Sequence, residues 1–144
     1  MGVSIVCKNP KYGFDMGYGG FFNLRKNVAL ALDKEFGELY ATLSKCWNDE
    51  ELLKFDRKAE KMIADKHLDD NYCDVLNFLF ASDCEGKCRY KTCKQIEELL
   101  KTNYDKLDLA NKSFRYVCDA HNDYLEFMEF LRDCYKHHKN MEWR

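Results

Sequence analysis

The chain has 144 residues, 23 Lys and Arg against 25 Asp and Glu, a net charge of −2 and 46% hydrophobic residues. This length predicts one globular domain over residues 1–144, with enough apolar side chains to bury a core. One proline and seven glycines exclude collagen-like and low-complexity chains. No apolar run approaches the roughly 20 residues of a bilayer-spanning helix, so we expect no membrane partner.

The charge balance and the cysteines indicate the class of protein and its compartment. A near-neutral chain argues against a nucleic-acid partner, because neutralising phosphates needs a clear basic excess. The first residues carry neither a basic start nor a long apolar stretch, so they do not resemble a secretory signal. We therefore expect a cytoplasmic protein whose eight cysteines remain reduced, with no cofactor.

Residues 1–20 differ in pattern from the rest of the chain. The β-branched segment Val3–Cys7 predicts a strand, and the glycines and aromatics of Tyr12–Phe21 are too dense for a helix. We expect either a small hairpin or a strand followed by a structured glycine–aromatic loop. At the other end, residues 140–144 can form a strand that pairs with Val3–Cys7.

Residues 21–139 have helical periodicity and predict about five helices. The inward positions of the first predicted helix are Phe21, Leu24, Val28, Leu32, Phe36, Leu39 and Leu43. A second helix should begin near Asn48, because Glu51 completes a capping-box pattern. A short third helix includes Tyr72–Phe80, and a fourth runs from about Tyr90 to Lys101.

The last predicted helix has the most regular pattern. Its inward stripe is Phe114, Val117, His121, Tyr124, Met128, Leu131 and Tyr135. The predicted fold is therefore mainly α (α+β), a single domain of about five helices with a small sheet formed by the N- and C-terminal segments. A stripe this regular serves equally well as core or as a dimer seam, so the oligomeric state stays open.

The glycine–aromatic loop is the first candidate binding site. Gly17–Gly20 leads into the first predicted helix, and free backbone N–H groups at a helix start can hold an anion. Aromatic side chains there can stack on a planar group. The alternative is structural, with glycines allowing a tight turn and aromatics filling the core. The candidate partner- or ligand-binding residues are Tyr12, Tyr18, Gly19, Gly20, Phe21, Arg25 and Lys26.

Ser82–Lys87 has three interpretations. It resembles part of a calcium loop, but two carboxylates cannot supply the six to eight oxygen ligands that are typical. It also resembles a nuclease trio of two carboxylates and a lysine, which normally lies on strands. The third interpretation, a plain turn between helices in which Gly86 takes a conformation that other residues avoid, is favoured.

The thiols and the basic residues are two further candidate groups. Without a CxxC pair, Cys84, Cys88 and Cys93 predict core thiols and no metal site. A nucleophilic thiol would need a histidine such as His121 nearby. The segment Lys136–Lys139 favours a helix C-terminus electrostatically, and the alternative is a partner with acidic groups.

Three short segments resemble a family of small proteins of bacteria and their phages for which no activity is established. They are Asp15–Phe21 with Leu24-Arg25, Ser82–Lys87 with Cys93-Lys94, and Phe130–Cys134 with Glu142–Arg144. Members often carry isoleucine where this chain has Cys88, which favours packing over a cysteine site. The resemblance implies no catalytic or binding residue, and the phage association implies a role in conflict between phage and host.

Three functions follow as hypotheses. The first is a non-enzymatic protein-binding module, carried by a phage or mobile element, that inhibits a host or defence protein; the aromatic content favours it. The second is sequestration of an anionic, nucleotide-like small molecule by Gly17–Gly20 and the helix start. The third and weakest is a Cys/His metal-dependent enzyme. No catalytic residue is identified, because common catalytic motifs are absent from the sequence.

Overall fold

The computed structural model describes residues 2–7, 13–110 and 119–144. Strands β1 (Gly2–Cys7) and β2 (Gly13–Gly17) form an antiparallel pair, with Ile5 opposite Phe14. Because side chains alternate along a strand, every second residue of β1 is buried. The N-terminal segment thus contributes two adjacent strands to the predicted small sheet.

Helices make up most of the described chain. Within it are six α-helices and two short 3-10 helices. The α-helices are α1 (Tyr18–Leu32), α2 (Lys34–Ala41), α3 (Asp49–Lys66), α4 (Asp69–Phe80), α5 (Tyr90–Thr102) and α6 (Ala120–Lys136). The 3-10 helices are Thr42–Lys45 and Tyr104–Lys106. None of the helices in these ranges has the length and apolar character needed to cross a membrane.

The first predicted helix differs from the structure at its start and in its middle. Residues Tyr18–Gly20, expected in a loop, form the first turn of α1. The continuous periodicity hides a break at Asp33, which has extended backbone and accepts a hydrogen bond from the backbone N–H of Phe36. Asp33 therefore begins α2 as its N-cap. Gly37 lets the two helices approach closely, because a Cβ there would lie 2.5 Å from the Leu30 Cα.

The capping prediction at the next helix is confirmed with one change. The Asn48 side chain accepts a hydrogen bond from the Glu51 N–H at 2.9 Å. The Glu51 carboxylate accepts from the backbone N–H of Trp47 at 2.7 Å, one residue before the position that a capping box uses. Both interactions stabilise the start of α3.

The predicted C-terminal strand is confirmed. Strand β4 (Met141–Trp143) pairs antiparallel with β1, and Cys7 lies opposite Met141. A strand that the sequence did not predict, β3 (Gly86–Cys88), pairs with the other edge of β4. The resulting order is β2-β1-β4-β3. The mainly helical fold with a small terminal sheet is therefore correct, and β3 begins inside Ser82–Lys87, a segment expected to be a plain turn.

The position of His121 contradicts the predicted inward stripe of the last helix. His121 is exposed in the first turn of α6, where its Nδ1 lies 2.6 Å from the Tyr104 hydroxyl. Tyr124, Met128 and Leu131 are buried as predicted. The helix begins at Ala120, and the predicted positions Phe114 and Val117 lie outside the described residues.

Gly86 is required by packing and not by its backbone conformation. No glycine in the described ranges has a positive φ, so the expected unusual conformation is wrong. Gly86 lies opposite Trp143 in the β3–β4 pair, and a Cβ at this position would overlap the indole ring. The absence of a side chain therefore makes room for Trp143.

We predict that Gly86→Ala lowers the free energy of unfolding by about 1–3 kcal/mol, because the added methyl group displaces a buried indole. Urea denaturation followed by far-ultraviolet circular dichroism measures this change. The matched control is Gly19→Ala, since a Cβ at Gly19 meets no atom within 4 Å. Equal stability of the two variants would contradict the packing role of Gly86.

Candidate functional site

A cleft of about 380 Å³ lies where the first half of α1 meets the 3-10 helix after α2 and the end of α4. We call it the Arg25 cleft. Its principal lining side chains are Tyr18, Phe22, Arg25, Tyr40, Phe80 and Asp83. Tyr40, Phe80 and Asp83 are distant in sequence from the predicted glycine–aromatic loop, so the cleft exists only in the folded chain.

Arg25 is a buried cation beside the cleft. Arg25 is only 5% exposed. Its guanidinium donates two hydrogen bonds, from Nη1 to the Ala81 carbonyl at 2.9 Å and from Nη2 to the Ser82 carbonyl at 3.0 Å. The buried Nε makes no hydrogen bond. No described carboxylate forms an ion pair with Arg25. The direct partners of this charge are therefore carbonyl dipoles, and no described carboxylate contacts it as an ion pair.

Aromatic rings complete the environment of the guanidinium. The Arg25 Cζ lies 4.2 Å from the ring centroid of Phe21, 5.4 Å from that of Phe78 and 5.6 Å from that of Trp143. These distances allow cation–π attraction. The Trp143 Nε1 donates to the Ser82 carbonyl at 2.9 Å, so this oxygen accepts from both Arg25 and Trp143. Arg25 thus joins α1 to the segment after α4 and to β4.

Burial lowers the pKa of the Arg25 guanidinium, and Tyr40 and Asp83 oppose this shift. Arginine is effectively always protonated in proteins, so Arg25 remains a cation at neutral pH. The positive charge near the cleft is therefore permanent over the physiological range.

Tyr40 closes the inner side of the cleft. Its hydroxyl donates to the carbonyl of Leu79 at 2.7 Å, and its ring stacks on Phe22 with centroids 5.5 Å apart. Burial raises the pKa of the Tyr40 phenol to about 12. Tyr40 is therefore a neutral, hydrogen-bonded part of the wall at physiological pH.

The start of α1 adds a second electropositive feature. Its N-cap, Gly17, has no side chain to cap the helix, and the first turn contains no acidic residue. The first N–H groups of a helix have no partner within the helix and carry the positive end of its dipole. Tyr18, in this turn, is half-buried beside Cys84, and the proximity of Cys84 together with burial raises the pKa of its phenol.

The structure places the seven residues predicted as a binding site differently with respect to the cleft. Tyr18 and Arg25 line the cleft, whereas Phe21, which also lines it, is only 1% exposed and mainly fills the core. Gly19 and Gly20 form the adjacent helix turn. Lys26 instead pairs with Asp108 at 3.0 Å. Tyr12 lies outside the described residues.

Sequence reasoning missed Tyr40, Phe80 and Asp83 as parts of this site. Tyr40 and Phe80 have the spacing of ordinary inward helix positions, and Asp83 belongs to a segment considered only as a metal loop or turn. No local pattern brings these residues to α1. Arg25 bonds to the carbonyls of Ala81 and Ser82, which lie between Phe80 and Asp83, and Tyr40 contacts α1 by stacking on Phe22.

The buried thiols form a second cluster of chemically interesting groups. Cys7 and Cys88 flank Met141 across three strands, and Cys93 and Cys134 approach from α5 and α6. The neighbouring Cys93 thiol and burial raise the pKa values of Cys88 and Cys134, which favours their protonated forms. Residues 2–7, 13–110 and 119–144 contain no group of three or more Cys, His, Asp or Glu arranged to hold a metal ion.

Comparison with known proteins gives no relative from which a function can be transferred: no family model, no curated protein and no solved structure matches the chain.

We predict that the Tyr40 phenol ionises near pH 12, whereas an ordinary tyrosine ionises near pH 10. Because the folded state favours the neutral phenol, the stability that this shift contributes is present below pH 10 and is lost as the pH rises towards 12. The ultraviolet absorbance of tyrosinate, recorded just after rapid pH jumps, should give a difference curve between the wild type and Tyr40→Phe with its midpoint near 12. A midpoint near 10 would contradict the burial of Tyr40.

Proposed function

We propose that the protein binds, without catalysis, a small molecule that combines an anionic group with a planar ring, and that it does so in the Arg25 cleft. The observation that carries this proposal is the buried Arg25 guanidinium, which lies beside an open cleft and has an unbonded Nε and no ion-pair partner among the described carboxylates. A buried charge ordinarily has a counter-ion, and a bound anion would supply one.

The charges of the cleft define where the anionic group lies. Arg25 and the uncapped first turn of α1 attract an anion from one side. Asp83 is the only carboxylate among the described lining residues, and it would repel an anion. The anionic group should therefore lie towards α1, and a hydrogen-bond donor of the ligand can face Asp83.

The aromatic lining favours a planar ring on the same ligand. Phe80 is 43% exposed, and Tyr18 and Phe22 are half-buried, so part of each ring surface remains accessible. Such side chains bind flat rings by stacked or edge-on contacts. A volume of about 380 Å³ lies in the range of small-molecule sites, which is about 300–1,000 Å³. Nucleotide-like molecules have this combination of size, ring and charge.

Binding without reaction is favoured by the chemistry of the lining residues. The cleft has a cation, two phenols and one carboxylate, and no described histidine lines it. Cys84 lies near Tyr18 at one side, and its thiol donates to the Asp83 carboxylate at 3.6 Å, but no described histidine lines the cleft to form the Cys–His pair typical of thiol catalysis. Of the three hypotheses from the sequence, sequestration therefore has the most support.

A second candidate, protein binding, is favoured by a separate observation. Trp47 is 86% exposed and Leu53 is 55% exposed at the start of α3. Exposed tryptophan is a common anchor of protein interfaces. A role against a host or defence protein rests on the resemblance to phage proteins, and it stays a prediction.

The ligand proposal predicts that 8-anilinonaphthalene-1-sulfonate, which has both a sulfonate and aromatic rings, binds the native protein in the cleft. Ser44→Trp should weaken binding about tenfold or more, because Ser44 is exposed and lines the cleft, where an indole would occupy the space. Lys101→Trp, on the exposed surface of α5, is the matched control. Fluorescence titration measures each dissociation constant.

A neutral probe gives a second control for the anionic group. N-phenyl-1-naphthylamine has the same rings without the sulfonate, and it should bind about tenfold more weakly than the sulfonate. Equal affinity for the two probes, or full binding by Ser44→Trp, would contradict the proposed function.

A further inference from the structure

The first turn of α5 and the last turn of α6 meet at one end of the helix pair. The Tyr90 ring lies 4.8 Å from the His138 ring, and the backbone N–H of Tyr90 donates to the Asn140 side chain at 3.1 Å. One turn further along α5, the Lys94 Nζ lies 6.0 Å from the ring centroid of Tyr135. These contacts place residues 87–94 and 135–140 on one continuous surface.

This surface is strongly basic. Five exposed cations lie in the two segments and form no ion pair with a described carboxylate: Arg89, Lys91, Lys94, Lys136 and Lys139. We call them the α5–α6 basic patch. Neither residues 87–94 nor residues 135–140 contain an Asp or Glu, although the whole chain has a net charge of −2.

The acidic groups near the patch are few. Glu142 of β4 pairs with Lys87 at 3.9 Å. Asp74 of α4 lines a second cleft together with Lys87 and Arg89. Asp133 lies one turn before the end of α6, and the exposed Glu98 lies one turn after Lys94 on α5. These carboxylates leave an excess of positive charge at this end of the molecule.

The cations at the start of α5 lie where the helix dipole disfavours positive charge, as long as no partner is bound. A helix N-terminus carries a partial positive charge, which disfavours cations and favours anions. Yet α5 has Arg89 at its N-cap and Lys91 in its first turn, with no acidic residue in that turn. The side chain that bonds its first N–H group is the neutral Asn140, which brings no negative charge. The helix dipole accounts for Lys136 at the end of α6, but it opposes the cations of α5. Local conflicts of this kind are typical of functional sites.

We propose that the α5–α6 basic patch docks an acidic segment of a protein partner. An acidic segment would neutralise the cations and occupy the positive end of the α5 dipole at the same time. The rings of Tyr90, Tyr135 and His138 lie between the cations and offer contact area for the partner's side chains. The patch covers the ends of two helices and so fits a short segment.

A protein segment fits this surface better than nucleic acid. A long polyanion gains affinity by following an extended basic track. Here the 25 acidic residues of the chain outnumber its Lys and Arg, so a duplex that extended beyond the patch would meet carboxylates. This partner surface is separate from the Arg25 cleft, because none of the cations of the patch lines that cleft.

Fluorescence anisotropy with a labelled decapeptide of alternating Glu and Asp tests the proposal on the full chain at low salt. The peptide should bind the wild type, and its Gln/Asn counterpart should not. Lys91→Glu with Lys94→Glu should weaken binding about tenfold or more. The matched control is Lys58→Glu with Lys61→Glu, which makes the same charge change on exposed positions of α3 and should alter affinity less than about twofold.

Thermal unfolding distinguishes a variant that has lost the peptide-binding surface from a variant that has lost its fold. Glutamate in the first turn of α5 suits the helix dipole, so the Lys91/Lys94 variant should keep or raise its Tm while it loses the peptide. Four results would overturn the proposal: no binding of the acidic peptide, an equal loss in the α3 control, tighter binding of a single-stranded oligonucleotide of equal charge at the same patch, or a dimer of the free protein that the Lys91/Lys94 variant abolishes.

Discussion

The structure depends on one buried cation, the guanidinium of Arg25. Removing a charge from water is costly unless dipoles and polarisable groups replace its hydration. Here the two carbonyls of Ala81 and Ser82 and the faces of nearby aromatic rings replace it. The same Ser82 carbonyl also accepts from Trp143, so the bonds around Arg25 link the chain after α4 to the C-terminal strand and to the lining of the cleft.

Much of the fold follows from local patterns, because burial of one face imposes a period on each element. The periodicity predicts most helices and the terminal strand pairing, and Asn48 with Glu51 predicts the start of α3. The errors occur where tertiary contacts override the pattern. Asp33 divides a continuous stripe, and His121 has the right spacing for burial yet lies where α6 begins and faces Tyr104.

The candidate site is less predictable than the fold. Glycine and aromatic content identifies the start of α1, and the position of Arg25 one to two turns later identifies the cation. The remaining walls come from α2 and from the end of α4, and their contact with Arg25 is made through backbone carbonyls that no side-chain pattern reveals. The role of Gly86 is also hidden from sequence patterns, because it depends on the indole of Trp143, 57 positions away in the chain.

The cleft and the α5–α6 basic patch share a physical property: each holds positive charge that the described part of the chain does not neutralise with a carboxylate. In the cleft the cation is buried and its direct partners are carbonyls, which favours a small anion of defined shape. In the patch the cations are exposed and spread over two helix ends, which favours a flexible acidic segment. Burial thus distinguishes a ligand site from a docking surface in the same molecule.

Arg25 organises the segment after α4 and with it the cleft. The most direct test compares the free energies of unfolding of Arg25→Met and the wild type by urea denaturation. Arg57→Met, at an exposed position of α3, is the control and should change stability by less than about 0.5 kcal/mol. We expect Arg25→Met to lose about 2–4 kcal/mol, because the Ala81 carbonyl loses its Arg25 donor, the Ser82 carbonyl keeps only Trp143, and the ring contacts lose their cation. A variant as stable as the wild type would contradict this role of Arg25.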